Sequence, residues 1–215
     1  MNFLQLVQKT WQESGLSGTV GDVTSTSGMQ LHFVNWVRDA WIEIQRESDE
    51  WVFMKQSATF STIAGQEEYQ KGAISLPQLK KPLAAYILVN GMYQTLPLIV
   101  SPQSATELNR LNKQTNQPSI CYYRNSVFSF DTIPDQAYTV KVYFVRTEQE
   151  LLLNTDTPTI DDNYHRAIVW KALEQYARYD EDNALFQSSR ERGDKALLAM
   201  RGDLTPPITF ARSAF

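Results

Sequence analysis

The chain of 215 residues carries one cysteine, Cys121, and only two histidines. A single thiol forbids an internal disulfide and fits a reducing compartment. Cys121 with His32 or His165 would supply a thiol and an imidazole, but nothing around them resembles a nucleophile motif. A lone cysteine in a strand pattern reads as a small buried hydrophobe. Basic excess is missing as well. Twenty Lys and Arg against 24 Asp and Glu leave a formal charge of −4, which argues against a binder held to nucleic acid by phosphate contacts. No apolar run approaches the roughly 18 residues of a membrane span, and no charged-then-apolar leader opens the chain. A soluble protein made in a cytoplasm is expected. Glycine is scarce too, nine in all, and four of the nine crowd into Ser14 to Gly28. That segment neither follows a strand nor ends in Gly-Lys-Ser/Thr, so it reads as a loop and not as a phosphate cradle.

What is present is apolar and aromatic: 42% hydrophobic residues and 12% Phe, Trp and Tyr, a globular composition with material for one large or two small domains. The chain is organised around Met29 to Phe53. Phe33, Trp36, Val37, Ala40, Trp41 and Ile44 recur at spacings of three and four, the period of one helical face, and are expected to form the core of a bundle. Thr24 to Ser27 offer N-caps, and the charged cluster from Arg46 to Glu50 closes the helix. Trp51, Phe53 and Lys55 leave the helical period, so a strand is expected to start there. Upstream, Asn2 caps a short helix carrying Phe3, Leu4, Leu6, Val7 and Trp11.

From about 51 to 147 the pattern is that of strands. Ala85 to Leu96 holds two apolar runs around Asn90-Gly91, the pair favoured in a two-residue type I′ turn, which sets Val89 against Met92 and Leu88 against Tyr93. A short helix is expected from Ser101-Pro102 to about Leu111. Ile120 to Tyr123 and Val127 to Phe130 flank a turn at Arg124 to Ser126, and Tyr138 to Val145 alternates most regularly. An antiparallel sheet or a small barrel follows. Beyond Asp161, the residues Tyr164, Ile168, Val169, Ala172, Leu173 and Tyr176 form a stripe wider than one contact needs, with Trp170 outside its centre, and the pattern continues to Gly202. The expected fold is α+β: a helical bundle from the N- and C-terminal helices (1–50 and 151–202), an inserted antiparallel β-rich lobe (51–150) and an extended C-terminal arm (203–215).

Chemistry is sparse on this frame. Asp161, Asp162 and His165 sit within one helical turn, yet the simpler reading is a cap of acids at the positive helix end with His165 on the surface. Glu67-Glu68 and Glu148 to Glu150 are adjacent acids of the kind that form a solvated face. Tyr122, Tyr123, Phe128 and Phe130 resemble a stacking platform, which leaves an OB-like module for oligonucleotides or glycans as the alternative function. No enzyme, cofactor or metal is expected.

The order of segments carries a resemblance. The helix with Val34, Trp36, Val37, Ala40, Trp41, Ile44 and Gln45 followed by Trp51-x-Phe53, then Phe128-x-Phe130, Pro134-Asp135, Tyr138 and the alternating strand, then Asp161 to Leu173, is similar to the head-to-tail connector (adaptor) proteins of tailed bacteriophages. The resemblance implies a structural virion protein of the neck, assembled in the host cytoplasm. It implies a homo-oligomeric ring, a dodecamer, under the portal protein, with a downstream tail or neck protein below and DNA only passing through the lumen. Trp170, Val169, Leu173 and Tyr176 would then meet the neighbouring subunit. In that family the C-terminal arm docks on the portal, a role that would fall to Pro206, Pro207, Ile208, Phe210, Arg212 and Phe215.

Overall fold

A computed structural model describes residues 1–100 and 114–205. Among them, four α-helices and eight strands make an α+β chain. The chain divides into two units, one of Met1–Met54 with the chain from Glu148 onward, the other of Lys55–Thr147.

In the helical unit, α1 (Phe3–Glu13) starts from a capping box: the amide of Gln5 donates to Asn2 Oδ1 and the amide of Asn2 to Gln5 Oε1, each at 2.9 Å. Two otherwise orphaned N–H groups are thereby satisfied. The long α2 (Gly28–Arg46) buries Phe33, Val37, Ala40, Trp41 and Ile44, as its period predicts, and also Val34 and Gln45. Trp36 is only half-buried, lying at the rim of the stripe against Tyr176, 5.9 Å between ring centroids. The helix does not pass directly into a strand. A 3-10 turn, Val52–Met54, intervenes; Trp51 folds back to donate its indole N–H to the carbonyl of Ile44 at 2.9 Å, and Phe53 stacks on Trp41.

When the chain returns at Glu148 it is stitched to α2. Gln45, buried near the end of that helix, donates to the carbonyl of Gln149 at 3.0 Å and accepts from its amide at 2.7 Å. Asn154 holds the glycine-bearing loop, accepting from the amide of Val23 and donating to Asp22. After a 3-10 turn (Asp162–Tyr164) come α3 (His165–Tyr179) and α4 (Asn183–Leu204). The breadth of the α3 stripe has a plain cause: α1, α2 and α4 all pack on it. The break at 180–182 is a Schellman-type end, with the amide of Asp182 donating to the carbonyl of Ala177 at 3.0 Å and Glu181 at φ +57°, a place usually taken by glycine. Asp182 then caps α4 by accepting from the amide of Leu185. Gly202 is not the helix stop expected from the sequence, because the helix runs on to Leu204 and Thr205 takes the extended cap conformation.

In the β unit, β1 (Lys55–Ser61), β8 (Thr139–Arg146), β3 (Leu79–Val89) and β4 (Met92–Leu96) form one antiparallel sheet in the order β1-β8-β3-β4. A second sheet runs β2-β7-β6-β5, from β2 (Glu68–Gln70), β7 (Val127–Phe130), β6 (Cys121–Arg124) and β5 (Leu98–Val100), with β5 and β6 parallel. The two sheets share one core, with Phe60, Val140, Val142 and Phe144 from the first meeting Tyr69, Phe128 and Phe130 from the second. The region is therefore two packed sheets rather than one sheet or a barrel. The Asn90-Gly91 hairpin has the expected register, Val89 opposite Met92 and Leu88 opposite Tyr93, with both turn residues at positive φ. The second hairpin turns on Asn125 and Ser126, also both at positive φ. The helix expected at 101–111 lies outside the described residues.

Candidate functional site

Among the described residues, those able to do chemistry do not converge. Cys121 is buried in β6, where burial, with the charge of Asp131 adding, pushes its thiol up to about 12; it is a packing group and a poor nucleophile. His32 stands exposed on α2 between the rings of Trp36 and Tyr179, 5.6 Å from each. His165 is not on the surface, as the sequence suggested, but fully buried at the start of α3. Its Nε2 lies 3.2 Å from the carbonyl of Ile160 and its Nδ1 lies 2.6 Å from the amino group of Met1. Desolvation, with that positive neighbour next in weight, holds its pKa below the ordinary value, so the ring stays neutral at neutral pH. Asp161 caps the 3-10 turn by accepting from the amide of Asn163, as a capping acid should. Among the described residues no three His, Cys, Asp or Glu side chains gather into a cation site. Glu148 is taken by Arg46 at 3.1 Å.

The aromatic platform is closed. Tyr122, Tyr123, Phe128 and Phe130 are buried; Tyr123 and Phe128, packed ring to ring at 4.6 Å, belong with Phe130 to the core of the β unit, and none of the four offers an open stacking surface. This removes the observation on which the OB-like reading stood.

Attention therefore passes to surfaces. Phe33, Val37, Ala40, Trp41 and Ile44 are bundle core, with Trp36 at its edge. Val169, Leu173 and Tyr176, expected at a subunit contact, are buried by the chain's own helices. Trp170 is 8% exposed and roofed by the guanidinium of Arg192 at 4.9 Å, and a side chain at Gly193 would meet its Cβ. The apolar excess on α3 is thus absorbed within one chain and does not by itself require a second copy. The periodicity counted the apolar residues correctly, but it had no means of counting how many neighbours α3 would have.

Two other surfaces are shaped for contact. Between α2 and α3 runs a groove of about 590 Å³ whose walls alternate acids (Asp39, Glu43, Glu174) with bases (Arg46, Lys171, Arg178). Its one tight internal pair is Arg178 with Glu174 at 2.6 Å. On the β unit, the outward face of the first sheet carries Tyr86, Tyr93 and Tyr143 around Lys141. The ammonium lies 5.0 Å from the ring of Tyr143 and 5.7 Å from that of Tyr93, and Tyr86 meets Tyr143 edge-on at 5.7 Å. The Tyr143 hydroxyl beside it shifts the lysine's pKa upward from its ordinary value. No period-3.6 or nucleophile search finds this cluster. Its signal was the alternation of β8, which placed Lys141 and Tyr143 together on the face away from the core.

The arm residues Pro206, Pro207, Ile208, Phe210, Arg212 and Phe215 lie outside the described residues. Among the described residues no helix is long and apolar enough to cross a membrane. No curated protein matches the chain. A family model does match, over residues 1–209 and so through both units, and by that match the chain belongs to the SU10 adaptor protein family, a family of bacteriophage head-tail adaptors.

Proposed function

We propose that this adaptor works by assembly and not by catalysis, forming a ring of about twelve copies under the portal that joins the DNA-filled head to the tail. The observation that carries the reading is the family match through both units, from residue 1 to residue 209. Surface character supports it. Along the 22 residues of α4 only Ser189, Gly193, Leu197 and Met200 are buried, so most of the helix faces outward, Leu198 included. Val52, Leu152 and Leu153 are further large apolar side chains exposed in the helical unit.

The arm completes the proposal. Pro206-Pro207 forbids helical continuation, and Ile208 and Phe210, two apart, would point to the same side of an extended strand docking on the portal, with Phe215 as its end anchor and Arg212 its one charge. DNA would cross the lumen without sequence-specific contact, since twelve chains carry about −48 and repel phosphate. The test is electron microscopy of the purified protein alone and with portal: rings are expected, and isolated small particles under both conditions would overturn the reading. Removal of residues 208–215 is expected to leave the melting temperature unchanged and to abolish attachment to portal-bearing heads.

A further inference from the structure

The four strands of the first sheet, β1, β8, β3 and β4, contain five basic residues, Lys55, Lys80, Lys81, Lys141 and Arg146, and no Asp or Glu. In a chain with twenty basic and 24 acidic residues, taking those five away leaves fifteen bases against all 24 acids elsewhere. The strands thus carry bases and no acid of their own, with Arg146 the buried one of the five. Register places its polar side: Lys141 stands opposite Thr59 on one flank and Tyr86 on the other, Tyr86 opposite Thr95, and Tyr143 opposite Ser57 and Ala84. The other parity, Phe60, Val140, Val142, Ala85 and Ile87, faces the core. Exposed and half-exposed tyrosines are side chains that interfaces favour, rigid amphipathic rings, and here two of them, Tyr93 and Tyr143, hold a cation on their faces.

The occupant is set by charge. It must bring acid to Lys141, and an acidic segment of the same chain is at hand. Asp180, Glu181 and Asp182 follow one another at the exposed tip between α3 and α4, beside the 57% exposed Tyr179. Asp180 accepts from the hydroxyl of Tyr176 and Asp182 caps α4, whereas Glu181 is exposed and has no partner among the described residues. Resting on the ring reading above, we propose that the tyrosine-lysine face of the β unit is a docking surface for the acidic α3–α4 tip of a second copy, with Glu181 of one chain meeting Lys141 of the next. Such a contact joins two different patches, so it is heterologous, the kind that makes a ring when the rotation from copy to copy closes. Opposite charges would set its register and suppress wrong pairings.

Charge exchange tests it. Lys141→Glu and Glu181→Lys are each expected to raise the protein concentration needed for half-assembly by about tenfold, and the double variant to return it to near that of the native chain. Since Cys121 is buried, a second readout is available: chains with Lys141→Cys mixed with chains with Glu181→Cys should cross-link between copies in assembled rings, and neither variant alone should. Rings that form with no cross-link, single variants that assemble as the native chain does, or a double variant with no recovery would overturn the docking while leaving the ring intact. Duplex binding by the native chain that Lys141→Glu removes, with assembly unaffected, would assign the face to phosphate and overturn it likewise. If the native chain forms no ring even with portal, the ring reading fails first and this inference with it.

Discussion

The helical unit and the β unit solve the same burial problem with different information. The β unit is one continuous stretch, Lys55–Thr147, and two of its hairpins are set by turns of two residues at positive φ. The helical unit is assembled from both sides of that stretch, so its contacts are between segments about a hundred residues apart, such as Gln45 with Gln149. Its fillers also differ. Trp11, Trp41 and Trp51 pack the bundle, and the indole N–H groups of Trp11 and Trp41 find no partner among the described residues, whereas Trp51 donates to Ile44. The lesson is that local code suffices where turns determine register, while distant segments need side chains that bridge them individually.

The largest expected effects break each unit separately. Trp41→Ala removes a fully buried ring that stacks on Phe53 and should cost about 3–5 kcal/mol; Phe128→Ala, at the centre of the β core, should cost a similar amount. Hydrogen exchange distinguishes them: Trp41→Ala should expose helical amides first and Phe128→Ala the amides of β6 and β7. Uniform loss through both units in either variant would erase the distinction.

Next is the bridge itself. Gln45→Ala removes two hydrogen bonds from the part-buried amide and carbonyl of Gln149 and should cost about 1–3 kcal/mol, measured by denaturant unfolding. A loss within error would mean that the returning chain is held by packing alone.

Each unit also holds one carboxylate as a loop fastener, and acid should open both. Asp22 accepts from the hydroxyls of Ser25 and Thr24, the amide of Thr24 and the side chain of Asn154, which hold it far below the ordinary carboxylate range. Burial works against ionisation of Asp131, but hydrogen bonds from Ser119 and Ile120 outweigh it and bring its pKa down too. A folded-state pKa below the unfolded one gives stability that is full above about pH 4 and falls away below it as the folded carboxylate takes a proton. Asp22→Asn and Asp131→Asn should therefore be less stable at neutral pH and show a shallower acid decline. An unchanged slope in thermal melts between neutral and acid pH would remove that residue from the account.

The smallest effects are gains. Glu181 and Ser126 hold left-handed backbone, at φ +57° and +67°, in the helical and β units respectively. Glycine at either place should stabilise by up to about 1 kcal/mol, a rise of a few degrees in melting temperature. Glu181→Gly adds a contrast, because it should strengthen the fold while weakening assembly. A variant that gained in both would show that the glutamate serves neither.

Much of the architecture was legible in the residues because the signals were local. The three-and-four spacing of Phe33, Val37, Ala40, Trp41 and Ile44, the Asn2 cap and the Asn90-Gly91 turn each act within a few residues, and each is present where expected. The short strands β2 and β5 were not legible, since three residues hold no period, and β5 joins its sheet by a parallel pairing. The candidate site was read only in part. The acidic link at 180–182 and the outward parity of Lys141 and Tyr143 were in the sequence, but not their surroundings.

By itself the sequence determined the helices and the longer strands, their order and the α+β class, because hydrogen bonding along a helix or across a tight turn depends on neighbours in the chain. Only the tertiary structure decided that β1 lies beside β8, that His165 and Trp170 are inside, and that Tyr86, Tyr93 and Tyr143 gather on one lysine. Those facts depend on which distant surfaces exclude water together, and burial of that kind has no period to be read along a chain.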